Sequence, residues 1–228
     1  MAFSWFNLVP GVGHEMSHVA TIGVVSATLI FVGFLARGAL GTGEKAIVPA
    51  GGLGLKGIME SITELVTSLV EMIIGKDGLP FVPMFAALFF FILANNWVGL
   101  IPGVSPAVEN INTTFAIGIF SFIVYNLYGF KEHGVAYLKQ FVGPVWWLFM
   151  LMIPIELISH LLRPLTLGLR LTNVMTGDHI VLGAFLDLMP IIAPLPFYCL
   201  GIFVGFIQAF VFTLLSMVYV ALAISHDH

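Results

Sequence analysis

The 228-residue sequence predicts an all-α integral membrane protein, with about five membrane-crossing helices and one amphipathic surface helix. Three observations carry this. Hydrophobic residues make up 59% of the chain and charged residues only 9%, against roughly 25% charged in soluble domains. Four stretches, Val19 to Ala36, Leu79 to Ala107, Asn110 to Phe130 and Leu188 to Ser225, contain no Asp, Glu, Lys, Arg or His. A bilayer span needs about 20 mostly apolar residues. Finally, one segment between these runs has a helical period with two distinct faces.

In chain order, residues 17–37 form the first span. No Lys or Arg precedes it and no small-residue cleavage site follows, so it reads as a permanent span rather than a secretory signal. A glycine-rich connection with Pro49 follows. Its Gly41-Thr42-Gly43-Glu44-Lys45 lacks the spacing of a phosphate-binding loop. Residues 56–75 place Ile58, Ile62, Leu65, Val66, Leu69 and Ile73 at helical spacing, against Glu60, Ser61, Glu64, Ser68 and Glu71. Such a helix suits the membrane surface or packing against other spans. Residues 79–130 read as a helical hairpin, 79–102 and 111–130, turning at Pro102, Gly103 and Pro106. Residues 141–225 hold a pair of long helices, and the whole, 1–228, reads as a single membrane domain.

Basic residues set the orientation. Arg37, Lys45, Lys56, Lys76, Lys131 and Lys139 fall in connections on one side. The N-terminal segment and the 103–110 and 186–196 turns contain none. The N-terminus is expected outside, the C-terminus in the cytoplasm. The net charge of −4, with no basic arm, argues against nucleic acid. Cys199 is the single cysteine, so no internal disulfide forms. No cofactor or metal is expected.

The last third is unusual. No polar loop interrupts Phe141 to Leu188, although Pro154, Pro164 and Gly168 could bend it. A helix of that length would reach about 70 Å, against a hydrocarbon core near 30 Å. It is therefore either steeply tilted or two spans turning near Arg163-Pro164. Tilt keeps the number of crossings odd. This segment carries Glu156, His160, Arg163, Arg170, Asp178 and His179, and ionisable groups inside a bilayer are costly and by default functional. Glu156, Arg163, Arg170 and Gly177 recur every seven residues, with Ser159, Thr166 and Asn173 between, forming one slowly drifting polar stripe. Arg170 is a fixed positive charge; it serves either as a functional cation or in an ion pair with Glu156 or Asp178. In the last helix Gly201, Gly205 and Ala209, spaced by four, allow close backbone approach. Gln208 is the strongly polar side chain in the middle of that run.

Three stretches within residues 110–220 resemble subunit a of F-type ATP synthases: Asn110-Ile111-Asn112-Thr113-Thr114; Pro164-Leu165-Thr166-Leu167-Gly168-Leu169-Arg170-Leu171; and Gln208-Ala209-Phe210-Val211-Phe212 with Leu215 and Tyr219. The resemblance implies two long helices tilted against a rotating c-ring, and proton translocation between two half-channels coupled to ATP synthesis. It implies that Arg170 faces the ring carboxylate, that Glu156 belongs to the cytoplasmic half-channel, and that Gln208 packs near the arginine. His179 takes the position where relatives carry His or Glu in the outer half-channel. The family usually places Asn four and Gly eight residues after the arginine. Here Asn173 and Gly177 come one residue early, which leaves Asp178 and His179 both open as the half-channel group. Gly201 stands where a last-helix His or Glu is common. The implied partners are the c-ring, the peripheral-stalk b subunits and the rest of the complex, in a bacterial inner membrane; the chain itself makes and breaks no bonds.

A competing reading rests on His14-Glu15-Met16-Ser17-His18, an H-E-x-x-H string. On a helix its histidines would share a face and bind zinc, with Glu15 as general base. Asp187 would complete an intramembrane metalloprotease. A secondary transporter built on inverted repeats is disfavoured, because no such repeat is visible.

Overall fold

The computed structural model describes residues 17–40, 54–101, 103–104, 106–134, 137, 149–188 and 194–224. Six α-helices account for most of them: α1 Ser17–Leu40, α2 Leu55–Ile73, α3 Val82–Val98, α4 Ile111–His133, α5 Phe149–Leu188 and α6 Pro194–Ile224. Short 3-10 turns at Lys76–Phe81 and Ala107–Glu109 lead into α3 and α4. Among the described residues there is no strand. Five helices among the described residues are long and apolar enough to cross a membrane, and α2 is the additional one. The glycine-rich connection and the Lys131–Lys139 segment beyond Gly134, Tyr137 excepted, lie outside the described residues.

The chain divides into two compact units. The first draws on described residues up to Ala107 and on Leu200–Thr213; the second on Val108–Cys199 and the remainder of α6. In the first unit α2 packs against α1 and α3. Its Val66 and Val70 are fully buried, while Ser61, Glu64, Ser68 and Glu71 are exposed. The two-faced pattern thus resolves as a helix docked on other helices through its apolar edge. Gly75, at φ 89°, makes the bend after α2, and Pro83 starts α3 where a missing N–H costs nothing. Phe85, Phe89, Ile92, Asn95 and Asn96 are buried. Asn96 Nδ2 donates to the Gly205 carbonyl at 2.8 Å, and Trp97 Nε1 to the Ile202 carbonyl at 3.2 Å. A Cβ on Gly205 would sit 3.2 Å from the Asn96 Cβ. The small residues at 201, 205 and 209 are all buried, as their spacing implied.

In the second unit α4 and α5 run antiparallel, as the succession of contacts along them shows. Asn110 caps α4 by accepting from the Asn112 N–H at 2.9 Å. Thr114 and Thr172 share a hydrogen bond at 2.5 Å. A Cβ on Gly118 would lie 2.6 Å from the Pro164 carbonyl oxygen, and one on Gly168 would lie 3.1 Å from the Thr114 carbonyl. Small residues at 114, 118, 164 and 168 therefore let the two backbones nearly touch. α5 is one uninterrupted 40-residue helix that passes through Pro154 and Pro164. No turn forms at Arg163-Pro164, and the two-span alternative is not what the chain adopts. Its length is about 60 Å at 1.5 Å per residue, roughly twice a hydrocarbon core. Residues 141–148, expected in this helix, lie outside the described ones.

Candidate functional site

α5 presents two faces. His160, Leu167, Gly168, Leu171, Thr172, Met175 and Leu182 are buried in the second unit. Thr166, Arg170, Asn173 and Gly177 are exposed, and Glu156 and Arg163 are part-exposed. The heptad-like recurrence of polar residues therefore becomes one outward-facing stripe. Arg170 lies within it and, among the described residues, has neither hydrogen bond nor ion pair. Glu156 pairs with Arg163 instead, Oε1 to Nη2 at 3.8 Å, and the Arg163 guanidinium also lies over the Tyr219 ring at 5.3 Å. The sequence alternative of an internal pair between Arg170 and Glu156 or Asp178 is not what the fold forms. Thr166 turns its hydroxyl back to the Arg163 carbonyl at 3.0 Å. Asn173 is exposed, and Gln208 is half-buried on α6.

Two polar clusters lie on either side of Arg170 along α5. Nine residues beyond it, about 13 Å along the axis, His179 Nδ1 meets Glu109 Oε1 at 2.6 Å. Asp178 is half-buried next to it, with its Oδ2 enclosed and unpartnered in the structure. Both residues left open by the sequence thus belong to one locality, but the side chain with a partner is His179. Ten residues before Arg170, about 15 Å away, His160 Nε2 and Asn126 Oδ1 are 2.9 Å apart. Tyr137 donates its hydroxyl to the same Asn126 oxygen at 3.2 Å. Tyr137 stands in the connection between α4 and α5, and burial pushes its phenol pKa up, so the hydroxyl keeps its proton and remains a donor. Deeper in the unit, Ser121 donates to Ser216 at 2.9 Å.

Sequence reasoning did not single out Glu109, Asn126 or Tyr137. Glu109 carried a usable signal: it is the one charged residue between Leu79 and Phe130. Asn126 and Tyr137 had none, because a polar residue in a span and a tyrosine in a connection are both common. Of the zinc string, Ser17 is buried and His18 half-buried at the start of α1, while His14 and Glu15 lie outside the described residues. Asp187 is exposed near the end of α5.

The comparisons with known proteins bear on this arrangement as a whole. Residues 19–221 match the family described as ATP synthase A chain. A protein of Bdellovibrio bacteriovorus called ATP synthase subunit a is 57% identical over the full length of both chains. Another of the same name from Geobacter sulfurreducens is 40% identical, covering 94% of this chain and 93% of its own. A third, ATP synthase subunit a 2 of Syntrophotalea carbinolica, is 43% identical over 92% of this chain and 87% of its own. Nothing in these matches supports the metalloprotease reading. With its several apolar helices this is a multi-pass membrane protein and a component of an ATP synthase complex, and it belongs to the ATP synthase A chain family, the subunit a family of F-type ATP synthases.

Proposed function

We propose that this chain conducts protons between two half-channels at its contact with a rotating ring of c subunits, coupling ion flow to ATP synthesis. The observation that carries the reading is the state of Arg170. A guanidinium cannot discard its charge, and an exposed, unpaired charge at membrane depth is costly. Its counter-charge therefore comes from a partner, and an acidic side chain on a moving ring is the chemistry that fits. Beside Arg170 the ring carboxylate is favoured in its ionised form and gives up its proton. Away from Arg170 it must be neutralised before it can enter lipid, and the second half-channel supplies that proton. The arginine also stands between the half-channels as a barrier to direct leakage.

In this scheme Glu156 serves the cytoplasmic half-channel, and Asp178 or His179 the outer one. Thr166, Asn173 and Gln208 line the contact around Arg170. α5 and α6 lie tilted along the ring's curved surface, and the b subunits of a peripheral stalk hold the chain still. The assembly sits in a bacterial inner membrane with the N-terminus outside and the C-terminus cytoplasmic. The test is Arg170→Ala in the whole complex, measured as ATP-driven acidification of inside-out vesicles. Coupled pumping is expected to be abolished while the complex remains assembled. Normal pumping by that variant overturns the scheme.

A further inference from the structure

We infer that Glu109, in the 3-10 turn before α4, is a proton-relay residue that hands protons to His179 at the mouth of one half-channel. The inference rests on the proton-conducting role proposed above. Its starting point is the 2.6 Å contact between Glu109 Oε1 and His179 Nδ1, made between residues 70 apart in sequence. The distance is that of a short hydrogen bond.

Burial gives the pair a direction. The Glu109 side chain is 33% exposed and that of His179 only 11%. The other ring nitrogen of His179, Nε2, is enclosed and has no partner in the structure. Asp178 Oδ2 and the Thr113 hydroxyl, one turn into α4 from Glu109, are likewise enclosed and unpartnered. One end of the pair is thus reachable from outside the protein, and the other, His179 Nε2, is enclosed. Enclosed polar groups in this state call for water or a transferable proton.

The chemistry balances without any further reactant. A proton arriving on the Glu109 carboxylate moves from its O–H to Nδ1 of a neutral imidazole. The imidazolium so formed releases its Nε2 proton inward, leaving the neutral ring in the other tautomer. Glu109 is then a carboxylate again, and the imidazole accepts the next proton at this contact once a turn of its ring or a tautomer exchange has moved its remaining proton away from the nitrogen facing Glu109. Histidine suits this step because its two nitrogens can take and give on opposite faces.

A purely structural ion pair is the competing account, and it is the weaker one. A part-buried salt bridge is a poor anchor compared with apolar packing, because desolvation offsets most of its attraction. The α4–α5 contact is already held by the Thr114–Thr172 bond and by the close approaches at Gly118 and Gly168. Among the described residues, the titratable groups at this contact are Glu109 from the turn and Asp178 and His179 from α5, with Asp187 further along α5 and exposed.

The experiment uses the assembled complex in inside-out vesicles, with ATP-driven acidification followed across a series of luminal pH values. Glu109→Gln keeps the shape and a hydrogen-bonding group, so the complex is expected to assemble in parent amounts. Its pumping rate is expected to fall about a hundredfold, the low end of what loss of a positioned proton-transfer group costs. Glu109→Asp should keep most of the rate with a displaced pH profile, and the exchanged pair Glu109→His with His179→Glu should recover part of it. Parent-level pumping by Glu109→Gln overturns the inference. So does an equal loss in the Gln and Asp variants with an unmoved pH profile, which would mark a structural pair. An Arg170→Ala arm separates the two readings. Normal pumping there defeats the half-channel scheme itself, whereas lost pumping there with normal pumping by Glu109→Gln defeats only the relay.

Discussion

Gly118→Ala tests whether the near-contact of α4 and α5 holds the second unit in shape. The added Cβ would stand 2.6 Å from the Pro164 carbonyl oxygen. Carbon and carbonyl oxygen normally rest no closer than about 3.3 Å, so the helices must part by roughly 0.7 Å. Backbone cannot swing aside as a side chain can, and Pro164 stiffens it further. Overpacking of this kind costs about 1–3 kcal/mol. The same separation stretches the Thr114–Thr172 bond, one turn away at 2.5 Å, and interhelical bonds of that sort contribute about 0.6–2 kcal/mol. Replacing glycine by alanine within a helix returns up to about 1 kcal/mol. The net loss is therefore roughly 1–4 kcal/mol, and a chain of this size loses about 2–4 °C per kcal/mol. Membranes carrying the variant complex would be heated in steps and assayed for residual ATP-driven pumping. The inactivation midpoint should fall by several degrees. Gly33→Ala on α1 is the control, because a Cβ there meets nothing within 4 Å; its midpoint should hold or rise. A Gly118→Ala midpoint equal to the parent's would refute the claim that backbone contact is tight at this point.

Two further changes probe buried polar contacts. Asn96→Ala removes the donor to the Gly205 carbonyl from a fully buried position; with the cavity it leaves, about 1–3 kcal/mol is expected, read as a lower heat-inactivation midpoint. Thr114→Val keeps the side-chain shape but deletes the hydroxyl that meets Thr172. It should cost about 0.6–2 kcal/mol, while Thr114→Ser stays close to the parent in the same assay.

Much of the fold was legible because the bilayer leaves few options. A backbone in lipid must satisfy its own hydrogen bonds, so uncharged runs translate directly into helices such as α1, α3 and α4. The same constraint explains why α5 runs through Pro154 and Pro164 unbroken, a point on which the sequence left two possibilities open. Proline removes one bond, whereas a turn in that environment would strand several. The register of α2 was readable in part: Val66 of the expected apolar face is buried and Glu64, Ser68 and Glu71 are exposed, but Ile58 and Leu65 of that face are exposed too, and the buried Val70 lay outside it. What periodicity could not say was which helices that edge would meet.

The site divides along the same line between local pattern and spatial pairing. Arg170 stood out because a guanidinium amid Leu167, Leu169 and Leu171 contradicts its surroundings, and that contradiction lies entirely within one helix. Its neighbours on the stripe were visible for the same reason. Which of them would be neutralised within the chain was not, because pairing depends on side-chain reach and on rings supplied by another helix. Arg163 and Arg170 look equivalent in sequence, two turns apart on one face. The fold gives Arg163 both a carboxylate and the Tyr219 ring. Glu109 went unnoticed because its partner is 70 residues away, and only the antiparallel course of α4 and α5 brings them together. That asymmetry has a functional sense. In the proposed scheme, charges with internal partners hold or pass a proton at a set place, whereas Arg170, with none among the described residues, is available to be matched again and again by a partner that moves.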